Sequence, residues 1–389
     1  MKKLGLLPKL IIAILLGILF GNFAPKWFVQ ILATFNSLFG NFLGFSIPLI
    51  IIGFVAPGIG ELGGNAGKLL AITTGIAYLS TLFAGSFTYF TSSIVLPNFL
   101  TVGQLTINAT NPEEALLPPF LRVDMPPIMG VMTALLIAFT LGLGIAAIKS
   151  ATIKKFMEEF QHIIEKLISS IIIPLLPFHI LGIFANITFA GQVATIMSVF
   201  ARVFGMIIIL HITMILIQYF IAGSVAGANP FRLIKNMIPA YFTAIGTQSS
   251  AATIPVTLKQ TKFNGVEDGV AEFVIPLCAT IHLSGSTITL TGCAMAVMML
   301  NGMTTNFSSV FPFIAMLGIT MVAAPGVPGG AVMAALGLLE SMLGFTPTLT
   351  SLMIALYLAQ DSFGTAVNVT GDGAIAILVN KISGNKLSS

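Results

Sequence analysis

The sequence predicts an all-α polytopic membrane protein in which two re-entrant helical hairpins interrupt the series of spans. Three observations carry this. The 389 residues are 56% hydrophobic and 8% charged, with a mean hydropathy of +1.01, whereas soluble domains carry about 25% charged residues. Apolar runs recur from the N-terminus onward, each near the roughly 20 residues a spanning helix needs. Two Gly/Pro-rich polar stretches and one run bearing two aspartates are then embedded in apolar sequence in the second half.

The first run, 8–23, follows Met1-Lys2-Lys3 and resembles a signal peptide, but no small-residue cleavage site is convincing, so it is read as a retained first span. Further runs lie at 31–57, 67–96, 126–148, 155–190 and 195–223. Basic residues alternate between them: Lys2, Lys3 and Lys9 before the first, Lys68 after the second, Lys149, Lys154 and Lys155 after the fourth, Arg232 and Lys235 after the sixth. By the positive-inside rule the N-terminus is cytoplasmic and the six runs cross in alternation. The longest connection, 97–125, falls outside and carries Glu113, Glu114 and Asp124 against Arg122; its Asn108-Ala109-Thr110 sequon is a chance-level match. The net charge of +4 is therefore topology information, and no phosphate-reading patch points to nucleic acid. Cys278 and Cys293 would stand about 22 Å apart on one helix, too far for a disulfide.

After residue 230 the pattern changes. Segment 231–268 holds Gly-Thr-Gln-Ser-Ser-Ala-Ala-Thr-Ile-Pro (246–255), with Lys235 before it and Lys259 and Lys262 after it. Basic residues at both ends place both ends on the cytoplasmic side, which makes a hairpin with a polar tip. Segment 304–346 repeats this around Ala-Ala-Pro-Gly-Val-Pro-Gly-Gly (323–330) with no basic residue, entering from outside. Two opposed hairpins imply an inverted repeat, because non-helical backbone at membrane depth must be buried in protein or line a wet cavity.

In Asp-Ser-Phe-Gly-Thr-Ala-Val-Asn-Val-Thr-Gly-Asp (361–372), Asp361, Thr365, Asn368 and Asp372 fall within a roughly 60° arc of one helix face. No Lys or Arg lies between Lys262 and Lys381. A compensating charge then arrives from outside, as a bound cation or a ligand ammonium, and the face is a candidate binding site.

Gln-Ser-Ser-Ala-Ala-Thr-Ile-Pro-Val-Thr (248–257), Ala-Thr-Ile-His-Leu-Ser-Gly-Ser (279–286), Gly-Val-Pro-Gly-Gly (326–330) and Asp361 with Asn-Val-Thr-Gly-Asp (368–372) resemble the successive signatures of the dicarboxylate/amino acid:cation symporter family, which includes the glutamate transporters. The resemblance implies eight transmembrane helices plus the two hairpins, in a homotrimeric elevator-type transporter. Residues 1–66 (spans 1–2) and 97–190 (outer loop, spans 4–5) would form a static scaffold. Residues 67–96 (span 3) and 191–389 (span 6, first hairpin, span 7, second hairpin, span 8) would form the mobile transport domain. It also implies a multi-pass protein of the cell membrane with both termini cytoplasmic, an amino acid as the small-molecule substrate, Na+ as the coupled ion, and no organic cofactor.

Position by position, the resemblance assigns Asp361 to the substrate amino group with help from Thr365, and Asn368 to its α-carboxylate. Ser249 and Ser250 at the first hairpin tip, with Ser286, complete the carboxylate end, while Val327, Gly329 and Gly330 form the gate at the second tip. Asp372 matches a carboxylate ligand of sodium, joined by carbonyls of Cys278, His282 and Asn368, with Thr280 alongside. Oxygen ligands and helix ends suit such a site.

Four departures shape the expected function. Gly364 stands where dicarboxylate-selective members have an arginine; a side-chain carboxylate there would be desolvated unpaired, so a neutral amino acid is expected. Glycine also suggests room for a bulky side chain, with Phe363 closing part of it. The family's Asn-Met-Asp-Gly-Thr motif is here His282-Leu283-Ser284-Gly285-Ser286, and Leu82 replaces a span-3 serine, so a further sodium site using Tyr78, Thr81 and Ser284 is degraded. His282 offers a proton in place of a sodium. Ala323, Ala324 and Pro325 remove one hydroxyl near the second sodium.

His162, His179 and His211 have no metal-ligand spacing. Arg202 is expected to snorkel or to pair within the protein, and Lys154, Lys155, Glu158 and Glu159 to form local ion pairs. The chain is not read as an enzyme. An aspartyl dyad fails because Asp361 and Asp372 lie about 16 Å apart along one helix, and a passive channel would need neither an ammonium site nor two gates.

Overall fold

The computed structural model describes residues 6–62, 67–100, 117–191, 193–321 and 329–384. Among these every regular element is helical: α1 (Leu6–Phe23), α2 (Lys26–Leu62), α3 (Gly67–Val95), α4 (Val131–Ile148), α5 (Ala151–Leu167), α6 (Ile173–Phe189), α7 (Val193–Ala226), α8 (Pro230–Thr247), α9 (Ser250–Phe263), α10 (Asp268–Ile281), α11 (Ser284–Leu300), α12 (Phe307–Thr320), α13 (Gly330–Leu343), α14 (Pro347–Leu358) and α15 (Asp361–Ile382). A π-helical turn, Ile168–Ile172, joins α5 to α6. Six stretches are long and apolar enough to cross a membrane: Lys26–Pro57, Leu69–Asn98, Ala151–Phe189, Met197–Ala226, Asp268–Leu300 and Asp361–Ile382. Shorter apolar helices include Pro8–Phe23 and Leu136–Ile148.

Local chemistry sets the boundaries. Asn229 accepts from Phe231 N and Arg232 N ahead of Pro230, and Ser249, Glu267, Asn306 and Thr346 accept from the first turns of α9, α10, α12 and α14; each cap satisfies amide groups that the helix itself leaves open. The fourth run begins later than the predicted residue 126. Pro126 and Pro127 disfavour helix there, and residues 117–130 form a non-helical strap before α4 starts at Val131. The strap is fastened to α2 and α6: Asn41 Nδ2 donates to Val123 O at 2.6 Å, Phe120 N to Thr34 Oγ1 at 2.9 Å, and Leu117 N to Asn186 Oδ1 at 2.8 Å. The sequon at 108–110, Glu113, Glu114, Ala323 to Pro325 and Val327 lie outside the described residues.

The helices pack in two groups. α1 lies along α6, and α2 along α4, α5 and α6. Around α11 and α15 gather α3, α7, the α8–α9 hairpin, α10 and α14, with the α12–α13 pair against α3. The groups meet where α13 packs on α2 and α4, and α14 on α6 and α1. Residues 330–339 of α13 are consequently buried, whereas Ala251, Ala252, Pro255 and Lys259 of α9 are exposed.

Candidate functional site

The first hairpin turns at Gln248, whose φ of 53° is left-handed, so that Ser249 can cap α9 by accepting from Ala252 N at 3.2 Å. Ser250 is buried behind it. α8 and α9 both pack on α15, which carries the aspartates. α15 starts at Asp361 after a short break from α14, and α11 starts after a break at His282-Leu283. The two helices pass in opposite directions, Gly285 lying beside Gly364 and Asn368, and Gln360 beside Cys293, so the N-terminus of α11 meets the face of α15 that carries Asn368.

Asp361 is 5% exposed, and its Oδ2 accepts from Gly329 N at 2.6 Å, which ties the start of α13 to α15. Tyr357 of α14 places its hydroxyl 3.1 Å from Ser286 Oγ and within hydrogen-bonding reach of Asp361. Asn368 spans the other side: its Oδ1 accepts from Gly285 N at 2.7 Å and Ser286 N at 3.2 Å, and its Nδ2 donates to Ser286 Oγ at 2.9 Å. The carboxamide thus caps α11, whose own N-cap residue Leu283 offers no side-chain oxygen. Thr365 is buried on the same helix, and Gly330 opens α13.

A second cluster lies deeper. His282 Nδ1 is 2.9 Å from Asp372 Oδ1, both side chains being buried. His282 Nε2 is 3.1 Å from Ser80 Oγ and 3.4 Å from Gln218 Nε2, and Gln218 Nε2 also donates to Ser80 Oγ at 3.1 Å and Ser284 Oγ at 3.2 Å. Asp372 Oδ2 and Gln218 Oε1 are buried with no partner among the described residues. No lysine or arginine pairs with Asp361 or Asp372 among the described residues. A buried carboxylate with one unpartnered oxygen and no cationic side chain beside it suits a small cation.

Several expected placements differ. Gly364 faces α11: a Cβ there would meet Thr289 Oγ1 at 3.4 Å and Gly285 O at 3.5 Å, ordinary van der Waals contacts, so α11 lines that side of the residue. The Phe363 ring packs edge-on against Phe204 of α7 at 5.7 Å between centroids, turned away from Asp361. Thr280 Oγ1 donates to Leu277 O at 2.8 Å, and the Cys278 carbonyl accepts from His282 N at 2.9 Å; each oxygen keeps a lone pair. Asn368 sits inside the continuous helix Asp361–Ile382. Tyr78 OH donates to Ala315 O at 3.3 Å, Thr81 Oγ1 to Ala77 O at 3.0 Å, and Ser284 Oγ accepts from Gln218 Nε2 at 3.2 Å. Asp361 and Asp372 have separate partners and form no dyad. Arg202 does pair within the protein, donating to Phe99 O at 2.9 Å, and Lys154–Glu158 and Lys155–Glu159 form the expected local pairs at 3.6 and 3.9 Å.

Ser80, Gln218 and Tyr357 were not singled out by sequence. Gln218 left one signal, an amide in the middle of a 34-residue apolar helix.

Comparison with known proteins gives the same direction. The chain is 29% identical over 348 residues to the serine/threonine transporter SstT of Streptococcus suis (strain 05ZYH33), covering 85% of this chain and 94% of that one. It is 25% identical over 391 residues to the serine/threonine transporter of Acinetobacter baumannii (strain ATCC 17978), covering 95% of each. Over 265 residues it is 29% identical to excitatory amino acid transporter 2 of Mus musculus, covering 65% of this chain and 45% of that one. The profile of the sodium:dicarboxylate symporter family matches residues 6–382. With six membrane-length apolar helices and a profile match along nearly all of its length, this multi-pass membrane chain belongs to the sodium:dicarboxylate symporter family.

Proposed function

We propose that the protein is a sodium-coupled symporter of a small neutral amino acid. The observation that carries this is Asp361: a buried carboxylate that, among the described residues, has no Lys or Arg partner and is held by Gly329 N and the neighbouring Tyr357 hydroxyl, at a helix start where a ligand ammonium can dock. Gly364 lies against α11 and offers no cation for an acidic side chain on that side of the pocket. The names of the serine/threonine transporters among the relatives support short hydroxylated side chains. Sodium is cargo, drawn to the unpartnered oxygen of Asp372.

The proposed cycle is an elevator. α1, α2, α4, α5 and α6 form the scaffold, and α3 with α7 to α15 move as the transport domain; the two packing groups support that division. α13 of the second hairpin is covered by the scaffold while α9 of the first has exposed residues, which fits a state facing the side of the first hairpin, the cytoplasm by the distribution of basic residues. Assembly as a homotrimer in the cell membrane belongs to the same proposal.

A second mode, coupling by a proton on His282, is favoured by one contact, the 2.9 Å pair of His282 Nδ1 and Asp372 Oδ1. Uptake of the twenty amino acids into proteoliposomes, with sodium and pH gradients imposed separately, tests both. Sodium-driven uptake of serine, threonine or alanine but not aspartate is the expected outcome. Uptake driven by the pH gradient alone moves the coupling to His282, and a preference for acidic substrates rejects the pocket.

A further inference from the structure

The deeper cluster has a nitrogen at its centre. Gln218, 7% exposed on α7, directs its Nε2 at three groups from separate elements: Ser80 Oγ of α3 at 3.1 Å, Ser284 Oγ at the start of α11 at 3.2 Å, and His282 Nε2 in the break before α11 at 3.4 Å. His282 in turn reaches Asp372 Oδ1 through Nδ1 at 2.9 Å, so the same ring touches both the Gln218 amide and the aspartate. Two hydroxyls and an imidazole nitrogen face one point, a place where oxygen and nitrogen ligands would hold a small cation. The NH2 of a side chain tethered to α7 occupies that point.

We propose that Gln218 fills a cation site with its own amide, so that the Ser80, His282 and Ser284 nest takes up no ion during the transport cycle. The number of coupled ions is set in this way by one residue of α7, an inference that rests on the sodium-symport function proposed above. The unpartnered carboxylate oxygen lies on the other side of His282, at Asp372 Oδ2, which has no partner among the described residues. Ser284 brings no charge to the nest, and the Gln218 amide is neutral as well.

The test is thermal unfolding of the purified full-length protein in detergent, without amino acid, as sodium is titrated at constant ionic strength with choline. Wild type is compared with Gln218→Glu and Gln218→Met. Glutamate keeps the size of the side chain but puts a carboxylate among the three groups; the expected result is destabilisation without sodium and half-maximal recovery at about tenfold lower sodium than wild type needs. Methionine fills similar volume with no donor, and it is expected to lower the melting temperature with partial rescue by sodium and none by choline. Sodium titrations that superimpose for the three proteins would overturn the proposal. Uptake is read separately: a wild type indifferent to a sodium gradient rejects sodium symport, while the order of the three titrations still decides the role of Gln218.

Discussion

Gly285 and Gly364 meet where α11 crosses α15, and their tolerances differ sharply. A Cβ on Gly285 would lie 2.3 Å from Gly364 O and 2.7 Å from Val367 Cβ, contacts with backbone and a branched carbon that cannot swing aside. Gly285→Ala is therefore expected to push the helices apart at a cost of about 1–3 kcal/mol, and to lower both melting temperature and amino-acid affinity. Gly364→Ala meets nothing closer than 3.4 Å and is expected to change stability by less than about 1 kcal/mol. Equal losses in the two variants, measured by thermal unfolding, would contradict this geometry. Asp361→Asn keeps an oxygen for Gly329 N but loses the charge that attracts an ammonium. Substrate binding should fall by about 10- to 100-fold while the protein still folds, and ligand-induced thermal shifts read the two effects apart.

At the level of elements, the sequence showed where helices stop better than what their polar residues touch. The first hairpin was legible because Gly246, Ser249, Ser250 and Pro255 put turn and cap chemistry inside an apolar run, and the turn does fall at Gln248-Ser249. The face shared by Asp361, Asn368 and Asp372 was legible from helical spacing. Their partners were not: Ser80 and Gln218 come from α3 and α7, and no local pattern says which helix will present a polar group to His282. The resemblance likewise placed Gly364 beside the substrate, whereas its packing against Thr289 depends on how closely α11 approaches. One seam went unnoticed altogether. Gly17 and Gly21 of α1 are four residues apart and face α6, where added Cβ atoms would lie 2.6 Å from Leu181 O and 2.5 Å from Ala185 O. Such small residues let membrane helices touch backbone to backbone. Gly21→Leu is expected to separate α1 from α6 and cost about 1–3 kcal/mol, seen as a lower unfolding temperature in detergent; an unchanged temperature would mean that α1 is only loosely held.

For the molecule as a whole, the unequal cover of the two hairpins gives a direct test of the arrangement. Cys278 and Cys293 are both buried, so added cysteines report against a quiet background. Pro255→Cys on α9 should react readily with a membrane-impermeant thiol reagent in the purified protein, and Ala335→Cys on α13 should resist it, by at least about tenfold in rate. Equal labelling would show that another arrangement is populated in solution. The boundary between the two groups is also incompletely filled: a cleft of about 520 Å3, lined in part by Asn41, Arg122, Asp124, His179 and Ser351, opens between the strap, α2, α6 and the start of α14. Across it runs one buried side-chain bond, His179 Nε2 to Ser351 Oγ at 3.1 Å, from the proposed scaffold to the proposed moving part.

That bond has a meaning in time as well as in space. A contact that exists in only one arrangement lengthens the stay in that arrangement without touching the ligand. If a buried hydrogen bond is worth about 1 kcal/mol, its removal in Ser351→Ala should shorten the dwell of each molecule in this state about fivefold. Single-molecule fluorescence between a dye on α5 and one on α9 would record it as faster departures with an unaltered affinity for the amino acid.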